Sequence, residues 1–204
     1  MKILFCLIIG YAFGLVSPAA LISKIKNTDL RTTGTKNLGA TNTFLSIGKL
    51  HGVLVMAIDI LKSFLACKIC RLLFPELMFS GILAGIGAIL GHVFPFYMKF
   101  KGGKGLAAYA GLVLAFDPKI FLILAIICTI LMVIVNYSVT MPLTAAVLFP
   151  VFAVWQTRSV GVFFTALLAG AVIAISHFEI VLRIKNKQEE KVRDVIKEKI
   201  FNID

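Results

Sequence analysis

The sequence has few charged residues, and acidic ones are the scarcest. Only 15% of its 204 residues are charged, with 10 Asp and Glu against 21 Lys and Arg, while 59% are hydrophobic. A soluble globular domain carries charge on about a quarter of its residues, so this composition excludes that class. Magnesium sites use clustered carboxylates, which are also missing here. We therefore expect a membrane protein with no metal or other cofactor.

The four cysteines predict neither a disulfide framework nor a zinc site. Cys6, Cys67, Cys70 and Cys128 all fall inside apolar stretches. Cys67 and Cys70 have the C-x-x-C spacing, but the sequence offers neither a matching second pair nor histidine ligands. We interpret all four as small buried apolar residues.

Long apolar runs dominate what is present. Five runs come near the roughly 20 residues that a helix needs to cross a bilayer, and they cover residues 3–23, 77–98, 120–135, 139–157 and 159–176. Two further segments are less regular, because 50–70 contains charged side chains and 105–116 is short. The predicted fold is all-α, a polytopic membrane protein with about seven transmembrane helices. A cleavable signal peptide is the alternative for the first run.

The basic residues are concentrated in alternate loops. Fifteen of the 21 lie in the first loop, in the loop near residue 100 and in the C-terminal tail, whereas the intervening segments hold Lys2, Arg71, Lys119 and Arg158. The positive-inside rule then places the N-terminus outside and the C-terminus in the cytoplasm, which agrees with an odd number of crossings. We expect a seven-helix domain at 1–184. Residues 185–204 are a basic amphipathic cytoplasmic tail, which lies on the inner leaflet or is simply solvated.

The first cytoplasmic loop is polar and lies between two apolar segments. Its sequence at 29–42 is DLRTTGTKNLGATN. Two glycines enclose hydroxyl, amide and ammonium donors, and backbone N–H groups in such a loop can converge on an anion. An ordinary turn with helix caps is the alternative. The candidate ligands are Gly34, Thr35, Lys36, Asn37, Gly39, Thr41 and Asn42.

A second loop combines glycines with lysines. It reads GHVFPFYMKFKGGKG at 91–105. Gly102 and Gly103 allow the backbone to approach an oxyanion, and Lys104 adds a positive charge. Gly105 leads into a helix whose N-terminus attracts phosphate. The loop predicts a phosphate site, with a basic membrane anchor as the alternative.

Five other polar residues lie in or beside the apolar segments. His92 and His177 are candidates for proton transfer with a substrate, against a packing role. Asp59 and Lys62 lie one helical turn apart within a span, so we expect a structural ion pair there. Glu179 is also expected to have a structural role.

In chain order, DLRTTGTKNLGATN, DILKS, GHVFPFYMKFKGGKG and HFE resemble motifs of the bacterial acyl-phosphate-dependent glycerol-3-phosphate acyltransferases, over nearly the whole chain. The resemblance implies seven helices with the N-terminus outside, in the inner membrane. It implies transfer of a fatty acyl group from acyl phosphate to glycerol 3-phosphate on the cytoplasmic side, giving lysophosphatidic acid for phospholipid synthesis, with no nucleic acid partner. Residues 102–105 would bind glycerol phosphate, residues 34–42 form the first motif, and His177 and Glu179 belong to the third.

The chain resembles a divergent member of that family. Thr35 stands where a serine is usual, and Leu45 and Ile180 stand where an arginine and an asparagine are expected. The serines usual near 139–142 are replaced. Lys36 stands where the family has a glycine, and we hypothesise that it supplies the missing positive charge.

Other functions are open from the sequence. A small transporter for a phosphorylated anion is one, and an acyltransferase relative without catalysis is another. A transporter would carry polar residues across the whole bilayer, whereas these motifs collect on one side, which favours the enzyme. No histidine here precedes an aspartate at the spacing used by other lipid acyltransferases, and the repeated aspartates of CDP-alcohol phosphotransferases are absent. Acyl-chain preference and oligomeric state are not predicted.

Overall fold

The chain is all-helical, as predicted. The computed structural model describes residues 1–200, with side chains to residue 198, and contains no strand in that part of the chain. The helices are α1 (Lys2–Gly14), α2 (Pro18–Ile25), α3 (Ala40–Ser46), α4 (Lys49–Leu73), α5 (Ser80–Val93), α6 (Leu106–Phe116), α7 (Pro118–Val135), α8 (Thr140–Thr157), α9 (Val160–Lys185) and α10 (Val192–Ile200). A 3-10 turn at Phe96–Met98 follows α5. The last four residues of the predicted tail lie outside the described residues.

Five segments of the described chain are long and apolar enough to cross a membrane. They are Lys2–Ile25, Ser80–Met98, Pro118–Val135, Thr140–Thr157 and Val160–Lys185. These coincide with the five regular apolar runs of the sequence, so an integral membrane protein is confirmed. The two irregular segments also form helices, which are α4 with 25 residues and α6 with 11.

Helix α5 is the central helix, and α1 packs directly against it. The 67% burial of its span contrasts with 17% for the span of α7. The positions where a Cβ of Gly10 or of Gly91 would stand are taken by backbone atoms of the other helix. Lipid tails are as apolar as leucine, so helices in a membrane associate largely through such close packing. The G-x-x-x-G spacings therefore fix α1 on α5.

A buried ion cluster joins the end of α1 to α4 and α5. Lys62 Nζ lies 2.7 Å from Asp59 Oδ1 and 2.9 Å from His92 Nδ1. It also donates to the carbonyl oxygens of Gly14 and Val16, at 3.2 and 2.6 Å. These carbonyls have no partner within a helix, because the helical hydrogen bonding is interrupted between α1 and α2. The sequence predicted the pair of Asp59 and Lys62 but not its extension to another helix.

Gly10→Ala should lower the stability of the bundle, because even one methyl group has no space between α1 and α5. We expect a loss of about 1–3 kcal/mol from overpacking, seen as a lower melting temperature in detergent. Gly161→Ala is the matched control, because the nearest atoms to its new methyl group lie at ordinary contact distance, 3.5 Å. Equal melting temperatures for the two variants would contradict this packing.

Lys62→Met should destabilise the protein more than Gly10→Ala, because it leaves the Asp59 carboxylate buried without its cation. Removing one partner of a buried pair costs about 3–5 kcal/mol. The double variant Asp59→Leu/Lys62→Met should recover part of that loss, since no unpaired carboxylate remains. Lys49→Met, at an exposed position of the same helix, is the control in the same thermal measurement. A Lys62→Met protein as stable as the control would exclude a structural role for the cluster.

Candidate active site

An elongated cavity of about 440 Å³ lies between α4, α6, α7, α8 and α9. Its walls divide into two parts. The polar part, most of it from loops and from near helix ends but with Asp59 in the interior of α4, comprises Thr35, Asn37, Thr41, Asp59, His92, Lys104, Ser138, His177, Arg183 and Glu189. Residues from the interiors of four helices make an apolar part, which includes Met56, Ile60, Val113, Phe121, Leu124, Cys128, Met141 and Ala145.

The first loop is organised around the side chain of Asn42, which is fully buried. Its Oδ1 accepts hydrogen bonds from Thr35 N at 2.8 Å and from Ser46 Oγ at 3.1 Å. Its Nδ2 donates to the carbonyl oxygens of Leu30, at 2.8 Å, and Asn37, at 3.0 Å. The carboxamide is therefore used within the loop. The sequence predicts that Asn42 binds substrate. In the structure Asn42 instead holds Thr35 and Asn37 at the cavity.

Side-chain to backbone hydrogen bonds tie the second loop to two distant segments. Arg31 Nη2, in the first loop, donates to the carbonyl oxygen of Lys101 at 2.9 Å. Ser176 Oγ, on α9, donates to the carbonyl oxygen of Lys104 at 2.8 Å. The first loop, the second loop and the end of α9 thus meet at the polar part of the cavity. The three motifs that lie far apart in the sequence form one site.

Lys104 stands directly before α6, with its side chain at the cavity. Burial and the neighbouring Arg183 guanidinium hold the pKa of Lys104 below its usual range. Gly105 begins the helix with φ +83°, and a Cβ there would stand only 3.1 to 3.3 Å from side chains of α5 and α9. Glycine at this position lets the chain turn into α6 beside the cavity.

Gly102 and Gly103 do not line the cavity. Their N–H groups donate to the carbonyl oxygens of Val93 and His92, at 2.9 and 3.1 Å. In this conformation the two amides do not face the cavity, because they satisfy the open carbonyls at the C-terminal end of α5. Binding of a substrate by residues 102 and 103 stays a prediction. Their lack of side chains allows the loop to pack closely on that helix end.

Both candidate proton-transfer residues, His92 and His177, use Nδ1 in a contact within the protein, and they differ in what surrounds Nε2. His177 Nδ1 lies 2.9 Å from the carbonyl oxygen of Ile173, which can only accept, so Nδ1 carries the proton of the neutral ring. Nε2 then keeps a lone pair beside the cavity. His92 Nδ1 belongs to the ion cluster, where Lys62 can only donate to it. Its Nε2 is packed against Gly103. His177 is the better placed of the two to take a proton.

The structure separates the predicted site residues into two groups. Those that line the cavity are Thr35, Asn37, Gly39, Thr41, Asp59, His92, Lys104, Gly105 and His177. Those that do not are Gly34, Lys36, Asn42, Lys62, Gly102, Gly103 and Glu179. Lys36 is exposed with φ +56° and Glu179 is exposed on α9, so neither is directed at the cavity in this conformation.

Five polar residues at the cavity were not predicted as site residues, and two of them, Tyr109 and Thr129, lie within α6 and α7. Ser138 follows the end of α7, Arg183 lies near the end of α9, and Glu189 lies in the predicted tail. Arg183 and Glu189 form an ion pair with 2.8 Å between Nε and Oε2. The tail had been assigned as a basic surface segment, and no local pattern distinguished its residue 189 from Glu190 beside it. Arg183 follows His177 by six residues on one helix, which places the two about 120° apart around the helix axis, so this spacing did not indicate a common site.

Comparison with known proteins identifies the family. The sequence model described as Glycerol-3-phosphate acyltransferase matches residues 4–187. A protein of that name from Aquifex aeolicus is 33% identical over 94% of this chain and 100% of its own length. One from Lactiplantibacillus plantarum is 35% identical over 94% of this chain and 93% of its own.

Two solved structures of PlsY, an integral membrane glycerol 3-phosphate acyltransferase, share the fold. The glycerol 3-phosphate form has a TM-score of 0.85 and 32% identity, covering 94% of this chain and 96% of its own. The lysophosphatidic acid form has a TM-score of 0.84 and 31% identity, covering 94% and 95%. By sequence over nearly its whole length and by fold, the chain belongs to the glycerol-3-phosphate acyltransferase family.

Proposed function

We propose that this chain moves a fatty acyl group from an acyl phosphate to glycerol 3-phosphate and releases lysophosphatidic acid and inorganic phosphate. An acyltransferase acting on glycerol 3-phosphate in phospholipid synthesis follows from the family. The acyl phosphate donor, the cytoplasmic site and the residue roles are the proposal. The observation that carries it is a cavity lined both by polar residues of the three motifs and by apolar residues from the interiors of four helices.

Seven crossings with the N-terminus outside are part of this proposal. Contacts between loops fall into two sets that alternate along the chain. Lys2 pairs with Glu76 at 2.6 Å, and Gln156 Nε2 donates to Asp117 Oδ2 at 2.8 Å, in the loops that carry few basic residues. In the basic set, Arg31 reaches the second loop and the N–H of Arg193 donates to Asn136. The basic set also holds the cavity's polar end, so the positive-inside rule places the site in the cytoplasm.

The apolar part of the cavity suits the fatty acyl chain. It runs between α4, α6, α7 and α8, and its walls are aliphatic and aromatic side chains from helix interiors. Tyr109, which also lines it, is 1% exposed, and its hydroxyl donates to the carbonyl oxygen of Ala145 at 3.3 Å. The hydroxyl is thus satisfied within the protein, as is that of Thr129, which donates to the carbonyl oxygen of Ala125, so the lining here is mainly apolar. An acyl chain in this channel would bring its phosphorylated end to the polar part.

The polar part suits phosphate groups. Lys104 supplies charge at the point where α6 begins, and the first N–H groups of a helix attract anions. Thr35, Asn37 and Thr41 add hydroxyl and amide groups from the first loop. In this proposal the N–H groups at the start of α6 bind the phosphate, which is the role expected from the sequence for the amides of residues 102 and 103. This keeps the phosphate beside the same lysine.

The chemistry requires positioning more than activation. Acyl phosphate is a mixed anhydride, so phosphate is already a good leaving group. The hydroxyl oxygen of glycerol 3-phosphate attacks the acyl carbon, the bond from that carbon to the phosphate oxygen breaks, and phosphate departs with the electron pair. His177 Nε2 is placed to take the hydroxyl proton. Lys104 stabilises the negative charge that develops on the leaving phosphate.

Lys104→Gln should reduce lysophosphatidic acid formation from acyl phosphate and labelled glycerol 3-phosphate by about 100-fold or more, since it removes a charge aimed at the reacting phosphate. Lys101→Gln is the control, because residue 101 is exposed in the same loop and does not line the cavity. Product formation in the purified wild type confirms donor and acceptor together. A Lys104→Gln protein as active as the control would refute the assignment.

Cysteine labelling of intact cells should place the two loop sets on opposite sides of the membrane. Lys119→Cys should react with a membrane-impermeant thiol reagent, whereas Lys185→Cys should react only after the cells are opened. Both positions are exposed, and the four native cysteines are buried. The unsubstituted protein gives the background signal. Labelling of both variants in intact cells would contradict the proposed orientation.

A further inference from the structure

One lysine alone would not offset the negative charge that two phosphate-bearing substrates bring to the polar end of the cavity. The reaction proposed above, on which this inference rests, brings two phosphate-bearing molecules to one site. Asp59 at the cavity is paired with Lys62. Among the described residues that line the cavity, the remaining formal charges are Lys104, Arg183 and Glu189. Lys104 by itself would face two phosphates, each of which carries more than one negative charge near neutral pH.

Arg183 faces the same volume as Lys104. Both residues line the cavity, and the electrostatic effect of Arg183 on the Lys104 ammonium group is unfavourable. Two cations held together disfavour each other unless an anion lies between them. The carboxylates of Glu179 and Glu189 offset part of this effect on Lys104, and a bound phosphate would offset it further.

The guanidinium of Arg183 lies beside one carboxylate, and this contact is an ion pair without a hydrogen bond from the buried Nε. Its Nε lies 2.8 Å from Glu189 Oε2, and the side chains are 31% and 17% exposed. Within residues 1–198, no hydrogen bond or ion pair engages Nη1 or Nη2 of Arg183. A planar guanidinium can bind a phosphate through two parallel N–H groups. The edge formed by Nη1 and Nη2 is available to do so while the Glu189 carboxylate lies beside Nε.

The chain reverses after α9 so that Glu189 returns to Arg183. Lys187 has φ +56°, and the N–H of Gln188 donates to the carbonyl oxygen of Arg183 at 2.8 Å, which ends the helix in a tight turn. Further on, the N–H groups of Val192 and Arg193 donate to the backbone and side-chain oxygens of Asn136, at 3.1 and 2.9 Å. The segment between these two anchors carries Glu189. Its position is therefore fixed by backbone contacts on both sides.

We propose that Arg183 is a second phosphate-binding residue of the cavity, which engages a substrate phosphate through Nη1 and Nη2, and that Glu189 is the positioning residue that orients it. Lys104 and Arg183 then share the two anionic substrates. The tail beyond α9, expected from the sequence to be a surface segment, becomes part of the site.

The test measures KM and kcat for both substrates in wild type, Arg183→Gln, Arg183→Lys and Glu189→Gln. Loss of a charge-assisted hydrogen bond should raise KM for one phosphate substrate about 10-fold to 100-fold in Arg183→Gln, with kcat changed less. Arg183→Lys should recover part of this, and Glu189→Gln should show a smaller rise. Lys185→Gln is the control, because residue 185 is exposed on the same helix and does not line the cavity. Its KM values should equal those of wild type.

Two results would overturn the proposal in an active enzyme. One is unchanged KM values in Arg183→Gln. The other is a fall in melting temperature and kcat together with unchanged KM, which would mean that Arg183 serves only the fold.

A second readout separates this proposal from the proposed reaction. Inorganic phosphate should raise the melting temperature of the purified wild type in detergent, and Arg183→Gln should lose most of that rise. If wild type makes no lysophosphatidic acid but shows this difference, the reaction is wrong and the phosphate role of Arg183 stands. If phosphate stabilises both proteins equally, the role of Arg183 is refuted whatever the reaction.

Discussion

The arrangement around the cavity depends on the contacts made by the ammonium group of Lys62. This group draws the Asp59 carboxylate, the His92 ring and the carbonyl oxygens at the end of α1 to one point. Lys62 and Asp59 are 5% and 1% exposed, so their charges depend on these protein partners, and α1, α4 and α5 are held together. His92 packs in turn on Gly103, the residue before Lys104. The cluster thereby sets the position of the second loop relative to the bundle.

The same constraint explains how a small bundle accommodates both lipid and phosphate chemistry. Most polar lining residues lie in loops or near helix termini, with Asp59 on α4 and Thr129 on α7 as exceptions, and the helix interiors supply a mainly apolar lining. An acyl chain needs no specific polar contact, whereas two phosphates need positive charge and N–H groups. A site built across this boundary meets both needs with few side chains. It also explains why the polar motifs lie in loops that are distant in sequence.

Some parts of the fold and site could be predicted because they depend on local pattern. The length of an apolar run reports the length of a spanning helix, so helices occur at all seven expected places. The pair of Asp59 and Lys62 follows from a spacing of three residues on one helix. Thr35, Asn37 and Lys104 were expected at a common site and do line one cavity. Their contact with substrate stays a prediction.

Other parts could not be predicted, because a loop residue's hydrogen-bond partner depends on which segment folds against it. The carboxamide of Asn42 could bind a ligand, but it forms hydrogen bonds with Thr35 N and with the surrounding carbonyl oxygens. The amides of Gly102 and Gly103 are likewise taken by the end of α5. Glu189 reaches the cavity only because the chain reverses after α9.

The sequence by itself determined that the protein lies in a membrane, where its helices fall, and which loops carry positive charge, since these follow from hydrophobicity and charge along the chain. Tertiary structure alone decided which polar groups face the cavity and which are used to hold it. The physical reason is that every buried donor and acceptor in a membrane protein needs a partner. Packing between distant segments chooses that partner, and only the groups left over are available to a ligand.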